Sequence, residues 1–220
     1  MTFLAHGSRR GVCTAAATLC ATAGTVLLAV AFVPGRQPPP EPPSPATQHT
    51  QLHTHAPSHD VAVLPPSEPV RITAKRIGLA ASVEAVGIAK DGTVAMPTSA
   101  DHAGWYTGSV TPGERGNAIL AAHLDSTTGP AAFYSLGALR EGDRITVRRR
   151  DGTDAVFTVT AMNVYDKSAF PSQAVYGPTP HPQLTLITCA DWDPEARTYR
   201  ANLVITAHTG HPTDEPTADR

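Results

Sequence analysis

The chain has 220 residues and a formal net charge of -2. That length allows one ordinary domain plus extras, and the charge speaks against the basic phosphate-binding surface that nucleic acid requires. Proline is abundant, 21 residues, and most of the excess lies between Pro34 and Pro69, so part of the chain lacks the means to build a core.

Residues 1–10 end in Arg9 and Arg10, and from Gly11 to Val33 no residue is charged. As a helix this run spans about 35 Å at 1.5 Å per residue, enough for a hydrocarbon core roughly 30 Å thick. The arginines hold residues 1–10 in the cytoplasm and send the rest outside. Thr14, Thr18, Thr22 and Thr25 recur near helical spacing, and each can bond back to its own helix. The run is predicted to be an uncleaved transmembrane signal-anchor. The rival reading is a secretory signal cut near Ala29-Val30-Ala31. Cys13 and Cys20 lie inside the run as small apolar residues. Cys189 is then the lone cysteine of the exported part, either a buried small hydrophobe or a thiol kept for its reactivity.

Residues 34–60, "PGRQPPPEPPSPATQHTQLHTHAPSHD", are predicted to be a disordered, extended spacer. His49, His53, His55 and His59 fall within it. Metal binding by this tract is conceivable, but the ordering entropy of a flexible chain opposes it.

One β-rich domain is predicted for residues 61–209, followed by a tail, 210–220. "VRITAKRIGL" and "ASVEAVGI" read as strands, and Asp91-Gly92 as a tight turn. "GNAILAAHLD" is a buried strand that ends in polar residues. "GPAAFYSLGAL" suggests a short helix closed by Leu139. "RITVRRR", the Asp151-Gly152 turn and "AVFTVTAMNVYD" continue the meander, and "QLTLIT" and "YRANLVITAH" complete it. About eight strands with one or two short helices make a mainly β chain, closed or nearly closed into a barrel.

A thiol nucleophile needs a thiolate, a proton carrier and donors for the oxyanion. Cys189 follows "LTLIT" and is expected at a strand end, partly exposed. His123 ends "NAILAA", where a rigid backbone leaves its ring at the rim. Asp125, two residues on, can orient that ring or raise its pKa. Arg200 opens the strand that returns from the Cys189 strand, so a wide hairpin sets it beside the thiol. Its guanidinium has five donors and a permanent charge. Arg197 is a rival inside the loop. His102 precedes a turn, His181 sits between prolines and His208 lies at the far end of the last strand; these three are weaker candidates.

The stretches "GWYTGSVTPGERGNAILAAHLDSTTGPAAFYSLGALREGD", "FPSQAVYG", "LTLITCADWD" and "YRANLVITA" together resemble a sortase. They are most similar to the class F sortases of actinobacteria, with class E a near relative. The resemblance covers Pro69 to about Ala207. It implies a sortase-like eight-stranded β-barrel and a cell-surface cysteine transpeptidase. Such an enzyme cuts an LPxTG-like sorting signal between Thr and Gly and joins the thioacyl intermediate to an amine of a cell-wall precursor. By the same resemblance Cys189 is the nucleophile, His123 the general acid/base and Arg200 the clamp on oxyanion and substrate, while Thr188 touches the bound signal. Asp125 and Trp192 border the substrate, and "DKSAFPSQAVYGPTPHP" and "ADWDPEART" are candidate groove walls. Ala122, "ADWD" and Ala201 depart from the family's usual Gly, Gly-containing loop and acid, which touches substrate detail and loop shape. No lid precedes "PVRITAKRIGL", so housekeeping anchoring is favoured over pilus assembly. No cofactor is expected, and no acid cluster has the look of a calcium cage. The alternatives are a cysteine peptidase at the same site, and a non-catalytic, membrane-anchored binding module that works through the His-rich spacer.

Overall fold

The computed structural model describes residues 38–42, 63–90 and 92–209. The predicted signal-anchor (11–33), most of the spacer, Asp91 and the tail from Gly210 lie outside the described residues. Among the described residues no helix is long and apolar enough to cross a membrane.

Strand β1 (Pro69–Ala74) turns through a 3-10 segment, Lys75–Ile77, into β2 (Leu79–Val86). The turn closes on Gly78, whose φ of 67° suits a residue without Cβ. β3 (His102–Tyr106) and β4 (Gly116–Ala121) follow, then the two-residue strands β5 (Asp125–Ser126) and β6 (Gly129–Pro130). β7 (Arg144–Arg149) and β8 (Asp154–Asp166) form the hairpin expected at Asp151-Gly152, with Gly152 at φ 85°. A 3-10 turn at Lys167–Ala169 and a short helix α1 (Ser172–Tyr176) lead to β9 (Pro182–Asp193) and β10 (Thr198–His208). Eight strands close a barrel in the order β1-β2-β3-β4-β9-β10-β8-β7, as the sequence reading expected.

Three local expectations are corrected. His102 does not precede a turn; it opens β3, which pairs parallel with β2. The helix read in "GPAAFYSLGAL" reduces to a 3-10 turn, Leu136–Ala138, because Leu136 and Leu139 are drawn fully into the barrel core. Cys189 does not end its strand. β9 runs four residues past it, paired with β10 through Tyr199–Trp192 and Thr198–Asp193. The apolar pattern stops at Thr188 because the ribbon beyond has no core to face, not because the ladder stops.

Two layers of apolar side chains hold the wall. Ala118, Leu120, Leu184, Leu186, Leu203 and Ile205 fill the barrel interior. Ile119, Ala121, Ile187 and Val204 point outward and are covered by Val175 of α1, with Phe170 and Tyr176 packed alongside. β4 is therefore buried along all six residues, which is why "NAILAA" reads as a continuous apolar run rather than an alternation. Each such buried aliphatic side chain contributes roughly 1.5–3 kcal/mol over its exposed state.

Two polar anchors fix what the apolar layers leave open. Asn117 is buried; it donates to the Val175 carbonyl at 2.8 Å and accepts from the Thr185 hydroxyl at 2.7 Å. Arg149 is also buried. It donates to the Thr153 hydroxyl at 3.2 Å and to the Pro65 carbonyl, tying the incoming segment to the β7–β8 hairpin. Part of the predicted spacer also packs on the domain: the Pro40 carbonyl occupies the place where a Cβ on Gly137 would stand.

Candidate active site

The outer face of the wall positions the candidates. In β9, Thr185 and Ile187 face outward, and Cys189 is next on that face. In β4 the outward series Asn117, Ile119, Ala121 continues to His123. The parallel register pairs Ile119 with Thr185 and Ala121 with Ile187, and carried two residues on it sets His123 level with Cys189. β4 stays beside β9 beyond its last ladder residue. The Ala122 amide donates to the Ile187 carbonyl at 3.2 Å, and the Thr188 hydroxyl donates to the Ala122 carbonyl at 2.9 Å. On the other side β10 sets Asn202 opposite Cys189, and Arg200 is two residues along from Asn202. Three neighbouring strands thus bring His123, Cys189 and Arg200 to one side of the barrel. Thr188, expected to touch a bound peptide, is 2% exposed and lies beneath this surface.

His123 is held from an element that the sequence did not mark. Its Nε2 lies 3.2 Å from the Pro97 carbonyl. A carbonyl only accepts, so Nε2 carries the hydrogen when this bond is made and Nδ1 is the basic nitrogen of the neutral ring. Pro97 is held in turn: the Thr98 amide donates to Glu84 at 2.7 Å. Glu84 also meets His102 Nδ1 at 3.0 Å. The His102 contact first, and the Thr98 amide second, hold the Glu84 carboxyl below its ordinary value. Asp125, expected to orient His123, accepts a hydrogen bond from the Tyr199 hydroxyl at 2.8 Å.

Cys189 is half-buried and free. Burial pushes its thiol up, Lys167 pulls it down and the Asp125 carboxylate pushes it up, with a net rise. The resting group at neutral pH is therefore the thiol. Lys167 Nζ stands 3.9 Å from Sγ.

Arg200 is braced by carboxylates. Its Nε and one terminal nitrogen donate to both oxygens of Asp191, at 3.0 and 3.1 Å, and its other terminal nitrogen lies 3.8 Å from Asp193. Asp191 adopts φ 57° and the loop residue Arg197 φ 53°, a region that non-glycine residues seldom occupy. Trp192 is half exposed, and its ring lies 4.9 Å from that of Tyr199, edge to face.

Sequence reasoning singled out Cys189, His123 and Arg200 from strand ends and connectivity, and the register sets them on one side of the barrel. It missed Glu84, Pro97, Lys167 and Tyr199, whose contacts join segments far apart in the chain and follow no motif.

A family profile described as the sortase domain matches residues 72–210. No curated protein sequence matches the chain. Similar solved structures include the sortase C1 of group B Streptococcus pilus island 1, at 20% identity over 66% of this chain and 66% of that one, TM-score 0.50. A lid mutant of sortase A from Corynebacterium diphtheriae is 22% identical over 66% of this chain and 74% of that one, TM-score 0.50. The sortase D5 transpeptidase of Clostridium perfringens is 18% identical over 66% of this chain and 79% of that one, TM-score 0.50. At these identities the likeness speaks for the fold.

Proposed function

Because the chain belongs to the sortase family, we propose that it is a cell-surface cysteine transpeptidase acting on an LPxTG-like sorting signal. What supports the reading is the outer-face array of β4, β9 and β10, whose register, carried two residues on, sets His123, Cys189 and Arg200 on one side of the barrel. In this reading His123 takes the thiol proton of Cys189 as the sulfur attacks the carbonyl of Thr. Arg200 donates to the oxyanion as it forms. His123 protonates the departing amine, leaving a thioacyl enzyme. An amine of a cell-wall precursor then attacks and gives a proton to His123, the C–S bond breaks, and the proton returns to Cys189. Asp125 and Trp192 border the signal, Thr188 lies under it, and the 166–182 segment forms one wall.

The class F assignment belongs to the same proposal and is supported by the quoted motifs. So does a single-pass membrane location with the catalytic domain outside, supported by the uncharged run 11–33 behind Arg9 and Arg10.

The test uses the full chain, a quenched LPxTG-type peptide and an oligoglycine amine, read by mass spectrometry beside Cys189→Ala. A ligated product that vanishes in the variant is the expected result. Cleavage to the free acid alone, over a panel of amines, replaces the reading with a peptidase. No Cys189 adduct and no turnover with any signal overturns both.

A further inference from the structure

We propose that Lys167, not Arg200, is the cation that supports the Cys189 thiolate. The inference extends the reading of Cys189 as nucleophile.

One cation, Lys167, is within reach of the sulfur, while Arg200 sits two residues along β10 from Asn202, the partner of Cys189, and the surroundings of the two differ. Arg200 is bound to both oxygens of Asp191, lies near Asp193, and feels the charge of Asp166 as well. Its field at Sγ is offset by carboxylates that also fix its plane. That arrangement suits a fork held ready for a substrate oxygen. It is a weak source of positive potential for a neighbouring anion. Lys167 has the opposite setting. Its ammonium donates toward Sγ at 3.9 Å from the first residue of the 3-10 turn that follows β8. The neighbouring Asp166 keeps its charge but directs its carboxylate into that turn, accepting from the Ser168 amide at 3.1 Å and its hydroxyl at 3.0 Å, and no ion pair joins it to Lys167 among the described residues.

The groups around the thiol come from every packed element. Asp125 on β5 opposes the thiolate. His123 follows β4, Arg200 with Asp191 and Asp193 comes from the β9–β10 ribbon, and Lys167 comes from the turn after β8. Among these, Lys167 is the one that touches the sulfur with a full positive charge and no bidentate carboxylate across it. The turn belongs to the segment read as a groove wall, so the ammonium reaches the thiol from that side.

The test is the pH dependence of alkylation of Cys189 by iodoacetamide in the full chain, followed by intact mass. It reads the thiolate whether or not any peptide is turned over, so failure of this pairing and failure of the transpeptidase reading come apart. Cys13 and Cys20 are replaced by Ala in every chain tested. Lys167 is exposed, so its substitution leaves the barrel intact. Lys167→Met is expected to raise the midpoint by about 0.5–1 pH unit, a roughly 3–10-fold loss of alkylation rate below it. Lys167→Arg is expected to keep the midpoint near the parent value, and Arg200→Gln to move it less than Lys167→Met does. A midpoint unmoved in Lys167→Met, moved equally in Lys167→Arg, or moved as far by Arg200→Gln overturns the assignment.

Discussion

At the scale of single residues, His123, the proposed proton carrier, is held by groups on other elements. Glu84 on β2 fixes the Thr98 amide, the Pro97 carbonyl fixes His123 Nε2, and the tautomer follows. Glu84→Ala removes the acceptor that holds this turn. A hydrogen bond of this kind contributes about 1 kcal/mol, so kcat is expected to fall about 5-fold with KM little changed. An unchanged kcat would remove Glu84 from the account of His123. The same variant has a signature in acid. The folded-state pKa of Glu84 is depressed, chiefly by His102 and then by Thr98. Its stabilising contribution is present above the ordinary carboxylate value of about 4.3 and is lost as pH falls through the lower folded value. The stability gap between the parent and Glu84→Ala, measured by urea unfolding, is thus expected at pH 7 and should close in strong acid. The residues that the sequence singled out, Cys189, His123 and Arg200, share one property: each sits where an apolar pattern begins or ends, although β9 itself continues past Cys189. Glu84 and Lys167 have no such mark. One reaches its site through a turn 14 residues away, the other across 22 residues.

At the scale of elements, the sheet was readable where one face meets water. Ile145, Val147, Ala155 and Phe157 alternate with exposed or partly exposed neighbours, and the hairpin between them carries Asp151-Gly152. β3 was unreadable because it holds a glycine, Gly104, where a Cβ would meet Val86 Cγ1 at 2.8 Å. It also pairs in parallel with β2, so no hairpin turn announces it. The extent of β9 was misjudged because polarity was taken for the end of pairing. The 166–182 segment is tied to β4 by Asn117, which no pattern in the sequence marks as an anchor. Asn117→Ala leaves the Val175 carbonyl without this donor and the Thr185 hydroxyl without its acceptor in a buried setting, although Gln183 still donates to Thr185. The expected loss is about 2–3 kcal/mol in urea unfolding. A rise in KM for the peptide larger than the fall in kcat should accompany it, because α1 is loosened while the β4–β9–β10 array stays. A variant as stable as the parent would mean that the apolar packing of Val175 alone holds α1.

At the scale of the whole molecule, closure of the barrel rests on pairings that local sequence cannot announce. β1 meets β7, and β4 meets β9 in parallel across more than sixty residues. The runs in the sequence marked every barrel strand except β3, and only the chain's global packing gives their order. The same non-local logic extends to the proline-rich segment. Pro39 and Pro42 are half-buried while Pro38, Pro40 and Glu41 are exposed, a three-residue period that matches a polyproline II helix laid on a surface. Gly137 is the point of closest approach: a Cβ there would meet the Pro40 carbonyl carbon at 3.0 Å and the Pro42 nitrogen at 3.3 Å, and run into the Pro40 oxygen. Backbone atoms cannot step aside as a flexible side chain can. Gly137→Ala should therefore act with opposite signs in two chains. In the full chain it expels residues 38–42 and is expected to cost about 1 kcal/mol. In a chain lacking residues 1–42 nothing obstructs the new methyl, and the reduced freedom of the unfolded chain is expected to make the substitution neutral or stabilising by about 0.4–1 kcal/mol. Urea midpoints of the four chains measure the coupling directly. Equal effects of Gly137→Ala in both lengths would show that the proline segment does not dock on the 136–138 turn, and that the spacer leaves the barrel free from residue 38 onward.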